Sequence, residues 1–110
     1  MSAAQGPHGE EHEIRAIIFR EGDVYVGQCL EYDIAAQAPD LDSLLDRLEL
    51  AVEAEFATCE EQACAPHKCI SPAPVYYHQL WDRRSIMLQQ VHVGTPEGRK
   101  PLNFAFAKAA

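Results

Sequence analysis

Long apolar runs are missing from this 110-residue chain. No segment approaches the roughly 18 apolar residues of a membrane span, and Met1 to Glu13, "MSAAQGPHGEEHE", has no apolar core of the kind a signal peptide carries. A cytoplasmic protein with no membrane partner is expected. Positive charge is scarce as well: nine Lys and Arg face 17 Asp and Glu, a formal charge of −8, so the general attraction to phosphate that drives nucleic-acid binding is absent for the chain as a whole. The basic residues are scattered as Arg15, Arg20, Arg47, Lys68, Arg83, Arg84, Arg99, Lys100 and Lys108, with no stripe fit to neutralise several phosphates. DNA binding is therefore not expected, whereas a basic protein partner would be steered toward this chain. There is no Gly-rich phosphate loop, no G-x-S-x-G and no H-E-x-x-H, and no cofactor is expected.

What is present suits one small α+β domain. Residues 1–13 are small, polar and acidic without a period and read as a disordered arm, leaving a single domain over 14–107. "IRAIIFR" is rich in β-branched and aromatic residues, "EGD" supplies turn chemistry and "VYVGQCL" alternates again, which predicts a hairpin over 14–30. "IAAQA" offers a third strand, so 14–38 reads as an antiparallel meander. The period then changes. Leu41, Leu44, Leu45, Leu48, Val52 and Phe56 fall on one face of a helix over 41–57, with Asp40 as N-cap and Leu44, Leu45, Leu48 and Val52 in the core. The other face carries Asp42, Asp46, Glu49, Glu53 and Glu55 against Arg47, a run that by itself can be no more than a solvated face.

"TCEEQACAPHKCISPAP" breaks the pattern with prolines and cysteines and reads as a long connection. Pro74 fits the first turn of a second helix, in which Tyr77, Leu80, Trp81, Leu88 and Val91 recur at helical spacing with Arg84 interrupting the stripe. "VGTPEGRKP" is turn-rich, and the alternation of Leu102, Phe104 and Phe106 suggests a last strand. A chain this small gains from burying a further apolar face, so a homodimer or higher oligomer is expected, with a sheet edge or this C-terminal segment in the interface.

Two constellations could carry chemistry. Cys59, Cys64, His67 and Cys69 crowd together, and thiolate with imidazole is the ligand set zinc prefers, but C-x4-C-x2-H-x-C is not the paired-clip spacing of zinc sites. In a cytoplasmic chain these three cysteines and Cys29 are expected to be free thiols, Cys29 packing as a small hydrophobe with no His near it in sequence. Glu31, Asp33 and Asp40 could be assembled as a carboxylate set for a small metal-dependent hydrolase or nuclease, although acids in turns and caps are ordinary.

The order and spacing of "QCLEYDIAAQ" and "DLDSLLDRLELA", within residues 14 to about 56, resemble the HicB family of small antitoxins, and "PAPVYYHQLW" is similar to a segment of stand-alone HicB-like proteins. The resemblance implies a β-β-β-α core with a small antiparallel sheet in a partial ribonuclease-H-like arrangement, a helix across one face and a second C-terminal helix. It also implies a non-enzymatic protein that binds a small basic HicA-type toxin. The operator-binding domain of full-length members has no counterpart pattern here. Strands joined this briefly leave edges on which another chain can pair, and the candidate partner-binding residues are Glu31, Tyr32, Asp33 and Gln37.

Overall fold

A computed structural model describes residues 12–93 and 102–110. The arm expected over 1–13 lies almost wholly outside the described residues, as does most of the turn-rich loop; His12 and Glu13 open the first strand. Strands β1 (His12–Glu21) and β2 (Val24–Cys29) form the expected hairpin, with Ala16 opposite Cys29 and Glu21 opposite Val24. Two residues join them. Gly22 has φ 62° and Asp23 has no positive φ, as in the tight hairpin turns whose backbone twist matches the strands they connect. Strand β3 (Ala35–Ala38) pairs antiparallel with β2 and completes the meander.

Helix α1 (Leu41–Glu61) starts where Asp40 caps it: the carboxylate accepts the Ser43 N–H at 2.8 Å and the Ser43 hydroxyl at 3.2 Å. The two bonds hold the Asp40 carboxyl below its ordinary value. Leu44, Leu45, Leu48 and Val52 are buried as expected, and the helix continues past residue 57 to bury Cys59. A single turn, α2 (Pro66–Cys69), and the short helix α3 (Val75–Asp82) follow, then β4 (Ile86–Val93) and β5 (Leu102–Lys108).

The second helix is thus much shorter than expected. Leu88 and Val91 are spaced for a helix, yet they lie on β4, where antiparallel pairing sets Val91 opposite Phe104 and a register shift falls between Met87 and Gln89. The sheet is also not purely antiparallel. Its order is β3-β2-β1-β5-β4, and β5 runs parallel to β1, with Ile14 opposite Phe104 and Ile17 opposite Ala107. The composition of β5 explains its inner position: Phe104, Phe106 and Ala107 are all buried, on opposite faces, as befits a strand covered on both sides.

Strand alternation divides the core. On one face Ile14, Ala16, Ile18, Cys29, Leu102, Phe104 and Phe106 meet Leu44, Leu48 and Val52 of α1. Gly27 lies beneath the helix, where a Cβ would collide with the Leu48 side chain and stand 3.1 Å from Ile18 Cδ1. On the other face a smaller cluster of Ile17, Leu30 and Ala107 packs against Trp81 of α3, flanked by Tyr77 and Leu80. Leu102, Phe104 and Phe106 are at most 2% exposed, which corrects the expectation that they form an interface: they fill the chain's own core. Among the described residues no helix is long and apolar enough to cross a membrane.

Candidate functional site

The connection from β2 to β3 holds most of the residues singled out from the sequence, and Gln28 organises it. Gln28 is 5% exposed, and its Nε2 donates to the Cys29 carbonyl at 3.1 Å and to Asp33 Oδ1 at 2.9 Å. This buried amide ties the end of β2 to the turn that leads into β3. Sequence reasoning passed over it, although Val24, Val26, Gln28 and Leu30 share one phase of the alternation, so the polar side chain points to a face otherwise apolar.

Each candidate partner residue in the turn has an internal task. Glu31 accepts the Arg15 backbone N–H on Oε1 at 2.7 Å and Arg15 Nε on Oε2 at 2.6 Å. Tyr32 is buried, with its ring edge-on to Phe56 at 5.0 Å, and burial, with the Glu31 charge second, raises its hydroxyl pKa. Asp33 accepts from Gln28 and donates its own N–H to the Ser71 carbonyl at 2.7 Å. Gln37 stands apart on β3, an edge strand, exposed, with its backbone carbonyl accepting Arg47 Nη1 at 2.7 Å. The Arg15 guanidinium also lies 5.5 Å from the Trp81 ring centroid, and the Arg84 guanidinium 4.8 Å, so two cations distant in sequence share one indole.

The catalytic alternative finds its carboxylates used separately: Glu31 pairs with Arg15, Asp33 with Gln28, and Asp40 caps α1. Cys29 is buried, and desolvation, with Glu31 second, pushes its thiol up to about 12, the opposite of an activated nucleophile. A cavity of about 260 Å³ lies between Arg20, Tyr25, Leu41 and Lys108, and Cys29, Glu31, Asp33 and Asp40 are not among its lining residues.

The cysteine cluster differs from expectation. Cys64 and Cys69 are joined in a disulfide, and only Cys29 and Cys59 are free. Pro66 opens the single turn of α2, which brings the two Cα atoms to 6.0 Å, within the span a disulfide bridges. Two of the four weak metal candidates are thereby committed to each other, Cys59 is buried in α1 and His67 is exposed. Among the described residues no group of three His, Cys, Asp or Glu side chains is arranged to hold a metal ion.

The largest uncommitted feature is the acidic flank of α1. Asp42, Asp46, Glu49 and Glu53 follow one another at intervals of four, three and four residues, which stacks them along one side of the helix. Arg47 projects from the opposite flank toward the Gln37 carbonyl and leaves the stripe without a counter-charge. Among the described residues none of these four carboxylates is in an ion pair. Glu49 records the crowding: partial desolvation first, then Asp46 and Glu53, raise its carboxyl pKa. Exposed Leu50 lies in the same stretch.

Compared with protein-family models, with curated proteins and with solved structures, the chain matches none of them.

Proposed function

We propose that this chain is a non-enzymatic protein-interaction domain of HicB-like, antitoxin type, which takes a small basic protein on the acidic flank of α1. The observation that carries the proposal is the placement of Asp42, Asp46, Glu49 and Glu53 along one side of α1 with no basic side chain among the described residues paired to any of them. Like charges held together on one side of a rigid helix cost free energy in the unbound protein, and a lysine- or arginine-rich surface laid along them removes that cost. Leu50 supplies an apolar contact within the same surface. The HicB-like part of the proposal is supported by the meander of β1, β2 and β3 running directly into the long helix that covers it, and the parallel strand beside β1 agrees with a partial ribonuclease-H-like arrangement. The cytoplasm is the proposed location.

A second copy is the other proposed partner, at the edge strand β4. This strand has eight residues, and Ile86 and Met87 on it are 54% and 41% exposed, an edge long enough to template pairing. The test of the first partner is capture from native cytoplasm at about 50 mM salt, low enough to favour charge contacts. The wild-type chain should retain a basic protein that Asp46→Lys/Glu49→Lys/Glu53→Lys loses and that salt elutes. Equal retention by the variant would end the proposal. Light scattering of Ile86→Lys/Met87→Lys checks the second: a monomer is expected where the wild type associates, and a monomeric wild type at high concentration would dismiss it.

A further inference from the structure

We propose that the Cys64–Cys69 disulfide is a redox-responsive clip that fastens the segment between α1 and α3 onto the turn carrying Glu31, Tyr32 and Asp33. The clip is anchored at both ends. The Cys64 N–H donates to the Cys59 carbonyl at 2.9 Å, at the end of α1, and the Cys69 N–H donates to the Ala65 carbonyl at 3.0 Å, closing the turn of α2. Immediately beyond Cys69 the chain reaches the sheet: Ile70 packs against the main core, the Ser71 carbonyl accepts the Asp33 N–H at 2.7 Å, and the Ala73 N–H donates to the Leu30 carbonyl at 3.0 Å. Residues 70–73 thus lie as a short hydrogen-bonded strap along residues 30–33, and the disulfide sits at the strap's root.

Access selects this pair. Cys64 and Cys69 are part-exposed, whereas Cys29 and Cys59 are buried, so a reductant in solution meets the disulfide and not the two free thiols. A disulfide in a reducing compartment is characteristically one that opens and closes, which suits the cytoplasmic location proposed above. The reaction needs a dithiol. Its thiolate attacks one sulfur of the pair, breaking the S–S bond to give a mixed disulfide, and the displaced cysteine leaves as thiolate and takes a proton. The second thiol then attacks the mixed disulfide, the reductant closes into its own disulfide, and the other cysteine is released, so two electrons and two protons pass to the protein. Because the bridged residues are only five apart, opening loosens the strap locally and leaves the sheet in place.

Any consequence for a bound partner rests on the interaction reading above, but the test needs no partner, so the two can fail separately. Protein purified without reductant is unfolded and alkylated with iodoacetamide, and amide exchange of the folded protein is followed by NMR with and without dithiothreitol. Two alkylated cysteines are expected before reduction and four after. On reduction the amides of Asp33 and Ala73 should exchange about tenfold faster or more, with Ile17 and Phe106 unchanged. Cys64→Ser/Cys69→Ser should match the reduced protein with or without dithiothreitol; the wild-type comparison stands without this variant. Four alkylated cysteines before reduction would overturn the proposal, as would unchanged exchange at Asp33 and Ala73 after it. An equal acceleration at Ile17 and Phe106 would also overturn it, because the bond would then hold the whole fold and not the strap.

Discussion

The two faces of the sheet are built from the same strands and are covered very differently. Toward α1 the strands present Ile14, Ile18, Phe104 and Phe106, all at most 2% exposed, beneath a helix of 21 residues. Toward α3 the alternate positions of β5 are Ala105 and Ala107, the helix above has eight residues, and Arg15 and Arg84 flank Trp81 at the margin. Size alternation along a single strand therefore decides where a long helix can pack and where a short one suffices. The larger share of the hydrophobic core lies on the first face, while the second combines the smaller cluster of Ile17, Leu30, Trp81 and Ala107 with polar work: the buried amide of Gln28 and the pair of Arg15 with Glu31.

The largest effect is expected on the first face. Leu48→Ala removes a fully buried side chain under α1 and should cost about 2 to 5 kcal/mol, whereas Leu80→Ala, at a partly buried position on α3, should cost about 1 kcal/mol. Urea unfolding of both variants checks the contrast, and equal losses would abolish the distinction between the faces. Gly27→Ala sharpens it, since the added methyl meets Leu48 and should cost about 1 to 3 kcal/mol despite the better strand propensity of alanine.

Cys29, on the α1 side, gives the pH test. Its folded pKa is pushed up to about 12, while an unfolded chain ionises its thiol near about 8.5. Above that pH the unfolded state has lost a proton that the folded state keeps, so stability falls as pH rises, by up to about 1.4 kcal/mol per unit, until the folded thiol itself ionises. Below the unfolded value the contribution is fully present. Tyr32, raised in the same direction, steepens the fall at still higher pH. Unfolding midpoints measured from about pH 8 to pH 10 should decline less for Cys29→Ala than for the wild type; identical slopes would remove the assignment. The smallest effect belongs to the other side. Glu31→Gln keeps an acceptor for the Arg15 backbone but discards a pair whose side chains are 41% and 30% exposed, for which about 0.2 to 1 kcal/mol is expected in the same unfolding assay.

The meander and α1 were legible in the sequence because their signals are local: period-two alternation, a Gly-containing turn, and an Asp40 cap ahead of a leucine stripe. The rest depends on contacts far apart in the chain. Leu88 and Val91 obey a helical interval that pairing with β5 overrides, and nothing near Phe104 announces that β5 will lie parallel to β1, some 90 residues back. The bond between Cys64 and Cys69 required knowing that a single turn at Pro66 would fold the chain back on itself. Of the candidate site, Glu31, Tyr32 and Asp33 were found as residues, but their partners Arg15, Phe56 and Gln28 come from other elements or from a phase of the strand read as ordinary. The acidic stripe on α1 was visible as a charge run; that Arg47 turns away from it was not.

The central claim is that a basic protein seats on that stripe, and zero-length carboxyl-to-amine cross-linking of the captured complex tests it most directly. Mass spectrometry should find lysines of the partner joined to Asp46, Glu49 or Glu53. Joins confined to Glu31 or Asp33, or to carboxylates away from α1, would contradict the claim and move the interaction to the turn between β2 and β3.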